Sequence, residues 1–193
     1  MNRGNLIVAF SLFLSGCASV GPPSSSERLL AEPPAQWQRV YQFNNRKTRL
    51  SEFVPAGQTA EQWEIKLTLE SHTDLAEIDP IELIEAEIER LQENCTFVQH
   101  FNLFSGLENG YPSSARLALC GESRPVEKGE VRLMKAIQAN DYMYLLNVTR
   151  RIPPFEISSP AIPEQEVGWW ADYLSNVRVC DPARESHPCP ASD

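Results

Sequence analysis

Residues 131–150 read VRLMKAIQANDYMYLLNVTR, and this stretch decides the fold. It divides at Asn140-Asp141 into two strand-like runs, 131–139 and 142–150. Asn and Asp tolerate the left-handed backbone that a two-residue hairpin turn needs, so the runs read as one hairpin of long antiparallel strands. In the second arm Tyr142, Tyr144, Leu146 and Val148 fall on one face, and Met143 and Leu145 on the other. Successive side chains of a strand point to opposite faces, so this arm is apolar on both sides. A strand of that kind belongs near the middle of a sheet.

Working outward, Trp63, Ile65, Leu67 and Leu69 alternate with Glu64, Lys66, Thr68 and Glu70, the pattern of a strand with one face in the core and one in water. Residues 37–43 and 48–54 read as two short strands joined by Asn44-Asn45-Arg46-Lys47, and Pro55-Ala56-Gly57 ends the second. Asp79-Pro80-Ile81-Glu82 opens a helix, with Asp79 as cap, proline in the first turn and Glu82 completing a capping box. Ile81, Ile84, Ile88, Leu91 and Cys95 then recur at helical spacing. Glu82, Glu85, Glu89 and Glu93 lie on another face. A solvated surface explains them most simply, and a cation or a basic partner is the sharper alternative.

Residues 97–104 and 115–120 read as further strands. Residues 105–114 between them hold Gly106, Gly110 and Pro112 and read as a loop. It is not a phosphate-binding loop, because no run of spaced glycines precedes a helix. A proline-punctuated crossover (152–163) leads to a second helix, from Pro163 to about residue 179, with Val167, Trp170, Ala171, Leu174 and Val177 as its core stripe. Trp169 and Tyr173 flank that stripe and are the candidate partner-binding residues, with core packing as the simpler reading. The fold class is therefore α+β, an antiparallel sheet of about six to seven strands with two main helices packed on it.

The start of the chain has a different grammar. Arg3 precedes the apolar run 6–14 (LIVAFSLFL), which ends in Leu14-Ser15-Gly16-Cys17. That run is too short to span a bilayer, which takes about 20 residues, but it has the three-part layout of an export signal. Leu14-Ser15-Gly16-Cys17 resembles the lipobox of bacterial lipoproteins. The resemblance implies a signal peptide at residues 1–16 and acylation of Cys17 as the first mature residue. An ordinary signal peptide with a chance cysteine is the alternative. Several acyl chains give the stable hold that one chain does not. Ala18 in place of an aspartate implies the outer membrane, with the protein facing the periplasm. Residues 17–35, rich in Pro and Ser, read as the acylated cysteine and a flexible tether, residues 36–180 as a single periplasmic domain, and residues 181–193 as a polar tail.

Cleavage at that point leaves 177 residues (193 less 16), with 16 basic against 26 acidic side chains once Arg3 is gone. One ordinary domain fits that length, and so acidic a chain argues against nucleic acid and against electrostatic adhesion to anionic lipid. Membrane contact falls to the lipid on Cys17. Cys95, Cys120, Cys180 and Cys189 remain, an even number that reads as two disulfides in an exported chain. Of three possible pairings, Cys95–Cys120 and Cys180–Cys189 are favoured, the first tying a helix end to a later strand, the second stapling a Pro-rich tail. A metal site at His187 and Cys189 is the alternative. There is no C-x-x-C, and His72 and His100 are distant in sequence.

No reaction signature emerges. G-x-S-x-G and H-E-x-x-H are absent, no cofactor motif is present, and no catalytic pair stands out among the carboxylates. Three stretches resemble the PsbP-like α/β/α sandwich: Phe53-Val54-Pro55-Ala56-Gly57 with Trp63 in the next strand, the 131–150 hairpin, and the final helix ending Tyr173-Leu174-Ser175-Asn176-Val177. That resemblance implies helices on the faces of the sheet and a non-enzymatic binding or assembly role, and it carries over no residue role. The expectation is a non-catalytic, membrane-anchored envelope lipoprotein whose domain binds another envelope component, as an accessory of an assembly or secretion machine. The alternatives are a small-molecule or peptide-binding module, with a pocket formed by Phe97, Phe101, Phe104, Tyr142 and Tyr144, and an envelope hydrolase in which a histidine meets carboxylates.

Overall fold

The computed structural model describes residues 25–156, 158 and 164–190. The leader, Cys17 and the proline start of the second helix at Pro163 lie outside the described residues. Seven strands build one antiparallel sheet: β2 (Trp37–Asn44), β3 (Thr48–Pro55), β4 (Ile65–His72), β5 (Val98–Glu108), β6 (Tyr111–Ser123), β7 (Lys128–Gln138) and β8 (Met143–Ile152). Their spatial order is β2-β3-β4-β8-β7-β6-β5. The doubly apolar arm of the hairpin, β8, is the fourth of the seven, paired with β4 from Ile65↔Arg150 to His72↔Met143 and with β7 from Gly129↔Ile152 to Gln138↔Met143. It occupies the centre for the reason its sequence implies: both of its faces need cover.

Each face has a helix. Helix α1 (Pro80–Asn94) is capped by Asp79, whose carboxylate accepts from the Ile81 N–H at 2.7 Å. Leu83, Ile84, Ile88 and Leu91 of α1 pack on Ala118, Met134, Ala136, Met143 and Leu145, each buried side chain contributing roughly 1.5–3 kcal/mol before entropy. Ile81, expected inside, is 40% exposed, and Leu83 takes the inner position. Ile81 lies at the rim of the buried arc, on the side away from Leu83, and in the first turn, where the helix end leaves it open to solvent. Helix α2 (Glu164–Asn176) covers the other face, where Trp170 and Leu174 meet Leu119, Leu133, Ile137, Leu146 and Val148. The result is the expected α+β sheet with two helices, one on each side.

Four expectations are corrected. Residues 105–114 are not a loop: β5 and β6 run through them and reverse at Asn109-Gly110, both at positive φ (49° and 82°), the left-handed pair that a tight hairpin requires. Gly106 and Pro112 sit within strands near the sheet edge, where a missing N–H or side chain is tolerated. Secondly, the 17–35 segment is not all tether. Arg28–Leu30 is a short strand, β1, paired antiparallel with β9 (Arg178–Cys180), and Glu27 is buried. Its carboxylate accepts from Asn140 N and Nδ2 (both 2.7 Å), Asp141 N (3.1 Å) and the Tyr111 hydroxyl (3.3 Å). Thirdly, α2 stops at Asn176, and the fully buried Val179 belongs to β9. Fourthly, residues 181–190 are part of the folded domain. Asp181 is buried and accepts from Ser26 Oγ and Ala183 N, and His187 stacks on Tyr111 with ring centroids 4.0 Å apart. The domain therefore takes in residues on both sides of the expected 36–180 boundary.

Both favoured disulfides are present. Cys95, the C-cap of α1, bonds Cys120 on β6, and Cys180 on β9 bonds Cys189. They use up the thiols a metal site would need, and no group of three metal-ligating side chains occurs among the described residues.

Candidate functional site

Strand β5 is an edge of the sheet, and among the described residues nothing pairs with its outer side. A free edge offers a row of N–H and C=O groups, so natural edges are usually short, charged or interrupted by proline. β5 is long, nearly uncharged and free of proline, and a bulge is the one edge-blunting device it carries. Its 11 residues, VQHFNLFSGLE, hold one charge, at Glu108. Phe101 (43%), Leu103 (47%), Phe104 (36%) and Leu107 (69%) are among the most exposed large apolar side chains of the described protein.

The register shifts between Asn102 and Phe104, a bulge that throws Leu103 out of the ladder and bends the strand. Leu103 and Phe104 together form one wall of a groove of about 370 Å³ against α2. Ala171 and Leu174 form the opposite wall, and Ala115 lies on the floor.

At one end of the groove stands Lys135, on β7 and 1% exposed. Its Nζ donates to Leu174 O (2.7 Å) and Val177 O (2.8 Å), and meets Glu108 Oε1 and Oε2 at 2.9 and 2.7 Å. A cation is favourable where the unpaired carbonyls of a helix C-terminus gather, so Lys135 fixes the end of α2 and, through Glu108, the end of β5. Burial pushes its pKa down, opposed by the hydrogen bond and charge of Glu108.

The opposite side of β5 borders α1. Arg116, 7% exposed, donates to Asn102 Oδ1 (2.6 Å) and Ser114 Oγ (3.0 Å), and its other terminal nitrogen lies 3.7 Å from Glu85. That contact identifies which flank of α1 overlooks the edge. Glu82 and Glu89, both exposed, stand one turn before and after Glu85. The acidic stripe therefore stands beside the uncharged strand.

The aromatic pocket expected from Phe97, Phe101, Phe104, Tyr142 and Tyr144 does not form. Phe97 packs edge-on to Phe155 over Gly121, Tyr142 and Tyr144 pair with each other, and Phe101 and Phe104 lie on the β5 edge. They scatter because neighbouring positions of a strand point to opposite faces and the strands lie far apart in the sheet. Trp169 is 51% exposed and stacks on Tyr173, whose hydroxyl donates to Glu32 O at 3.0 Å. Desolvation raises the Tyr173 phenol to about 12. Both rings stand on the side of α2 facing the N-terminal segment, where Trp37 meets Trp170, away from the groove.

Of the three histidines, His100 is exposed on β5 and His187 Nδ1 bonds Asn109 O at 2.8 Å. His72 lies 2.9 Å from Glu70 and 3.3 Å from Thr48 Oγ1, an alcohol–imidazole–carboxylate order. The three lie side by side on adjoining strands and line none of the cavities described here. A polar cavity of about 300 Å³ beside α1 holds Glu87, Arg90, Glu130, Arg132 and Arg151. Glu130, 3% exposed, is held by Arg132 at 2.6 Å and Arg151 at 3.5 Å, and Arg151 also lies 3.6 Å over the Trp63 ring. Its cations are thus committed to carboxylates and a ring. Burial pushes the Glu87 carboxyl up, against the pull of Arg90.

No family model and no curated protein matches the chain. Similar solved structures include a mutant of the protein Mog1, with TM-score 0.42 and 10% identity over 76% of this chain and 84% of that one. Another is Mog1p, described as a Ran-binding protein of Saccharomyces cerevisiae, with TM-score 0.42 and 10% identity over 78% of this chain and 85% of that one. Likeness at this level transfers no residue role to the chain.

Proposed function

We propose that the chain is a non-catalytic envelope lipoprotein, held to the outer membrane by lipid on Cys17, whose domain binds another envelope protein. The observation that carries the binding half is the exposed, nearly uncharged β5 edge, since exposed apolar patches of this kind mark interaction sites. The anchoring half rests on Leu14-Ser15-Gly16-Cys17. Residues 18–25 are then the only link between lipid and fold, at most about 28 Å when fully extended. That is shorter than a tether reaching residue 35, and it holds the domain close to the bilayer.

Two measurements test this reading in cells. Cys17→Ser is expected to leave both disulfides formed and release the protein from the membrane fraction; continued sedimentation with membranes refutes the anchor. A photo-crosslinking residue at Leu103 is expected to capture one envelope protein stoichiometrically, whereas the same residue at the exposed Glu61 is not. Equal capture at both positions, or none, refutes the binding surface.

A further inference from the structure

We propose that β5 receives an extended segment of the partner as an added strand, and that the segment alternates apolar with basic side chains. This rests on the reading that the domain binds a protein, and adds how it does so and what chemistry the partner carries. The unpaired backbone row of β5 supplies the hydrogen bonds, and an added strand presents alternate side chains to opposite faces. The two faces flanking β5 are chemically unlike. On the α2 side lies the groove walled by Leu103, Phe104, Ala171 and Leu174. On the α1 side stand Glu82, Glu85 and Glu89, and β5 itself contributes His100 and Asn102 there, opposite Ala118 and Arg116. One face therefore selects apolar side chains and the other lysine or arginine.

A second copy of this chain fits poorly. Antiparallel β5–β5 pairing in one continuous sheet brings the two α1 helices to the same side, with their acidic flanks facing each other, in a protein of net charge −9. The other edge, β2, is shorter, with 8 residues against the 11 of β5. Its exposed Tyr41 and Phe43 line none of the cavities described here. The combination of a long open edge, an apolar groove on one side and carboxylates on the other is found at β5.

The test uses the full chain in detergent and short synthetic peptides. A peptide alternating Val and Lys is expected to bind and to slow amide hydrogen exchange along β5. A scrambled peptide of the same composition, a version with proline in place of the central valine, and a Val/Glu peptide are expected not to. Replacing Glu85 and Glu89 together by Gln, both on the helix surface, is expected to weaken binding about fivefold, the scale of two surface charge pairs. Leu103→Asp is expected to abolish binding, with near-ultraviolet circular dichroism confirming the fold. Equal binding of the scrambled peptide, or protection elsewhere than β5, overturns the proposal. So does a dimer whose β5 amides are protected without peptide. A Leu103 cross-link to an envelope protein that survives such a failure leaves partner binding intact and removes only the strand-addition mode.

Discussion

Replacing Lys135 with Met tests whether one buried cation ties α2 to the sheet. Met matches the length of the side chain and removes all three donors. Those donors now serve Leu174 O, Val177 O and the Glu108 carboxylate, at 2.7–2.9 Å. Breaking a buried pair by deleting one partner costs about 3–5 kcal/mol, because the other charge is left uncompensated. The Glu108 side chain keeps 22% exposure and can be partly rehydrated, which places the expected loss near the lower end, about 3 kcal/mol. Taking an m-value of about 2 kcal/mol/M, the urea midpoint falls by about 1.5 M. Adding Glu108→Gln to Lys135→Met removes the stranded charge and is expected to restore about 1 kcal/mol. Urea unfolding followed by tryptophan fluorescence reads all of this, because Trp169 and Trp170 lie on α2. A loss under about 1 kcal/mol for Lys135→Met, or no recovery in the double variant, refutes the assignment of Lys135 as the clamp.

Three further outcomes are expected. Removing the Cys95–Cys120 disulfide by paired alanine substitutions frees a 25-residue separation and costs about 3.5 kcal/mol of chain entropy, against about 2.6 kcal/mol for the 9-residue Cys180–Cys189 loop; paired unfolding curves give both values. Glu27→Ala strips four donors of their shared acceptor and is expected to cost about 1.5–3 kcal/mol, with hydrogen exchange rising first at Asn140 and Asp141. Glu87 has its pKa raised in the fold, so its contribution to stability is fully present below the ordinary carboxylate value and is lost as pH rises through the raised one. Glu87→Gln is accordingly expected to gain on the wild type across that window, and equal pH–stability slopes for the two proteins would contradict the burial of its carboxyl.

The parts of the fold that were legible in sequence are those where a local pattern and a tertiary need coincide. The 131–150 hairpin combines period-two hydrophobicity with a permissive turn, and α1 announces itself at Asp79-Pro80. The Asn109-Gly110 reversal was written in the chain as plainly as any hairpin turn. The glycine and proline on either side of it, read as breakers, hid two long strands. β1 was illegible for a different reason: three residues carry almost no periodic signal, and their partner β9 lies some 150 positions away. The groove depends on how α2 lies across the sheet, which no local pattern encodes. A trace of the site does exist in sequence. Residues 97–107 contain no charge, and Lys135 interrupts an apolar strand. Trp169 and Tyr173 drew attention by residue type, whereas the exposed edge is defined by strand order.

The β1–β9 ribbon has a mechanical consequence. Chain entering the domain at Ser26 passes at once into a ladder with Arg178–Cys180, and Glu27 grips the 140–141 turn beside it. Tension arriving from the N-terminal side is borne by those few bonds, with Cys180 secured behind them by its bridge to Cys189. Arg28–Leu30 is thus the first element to bear a pull arriving from the N-terminal side, and Asn109, whose side chain donates to Val179 O at 2.9 Å, joins that ribbon directly to the β5–β6 turn.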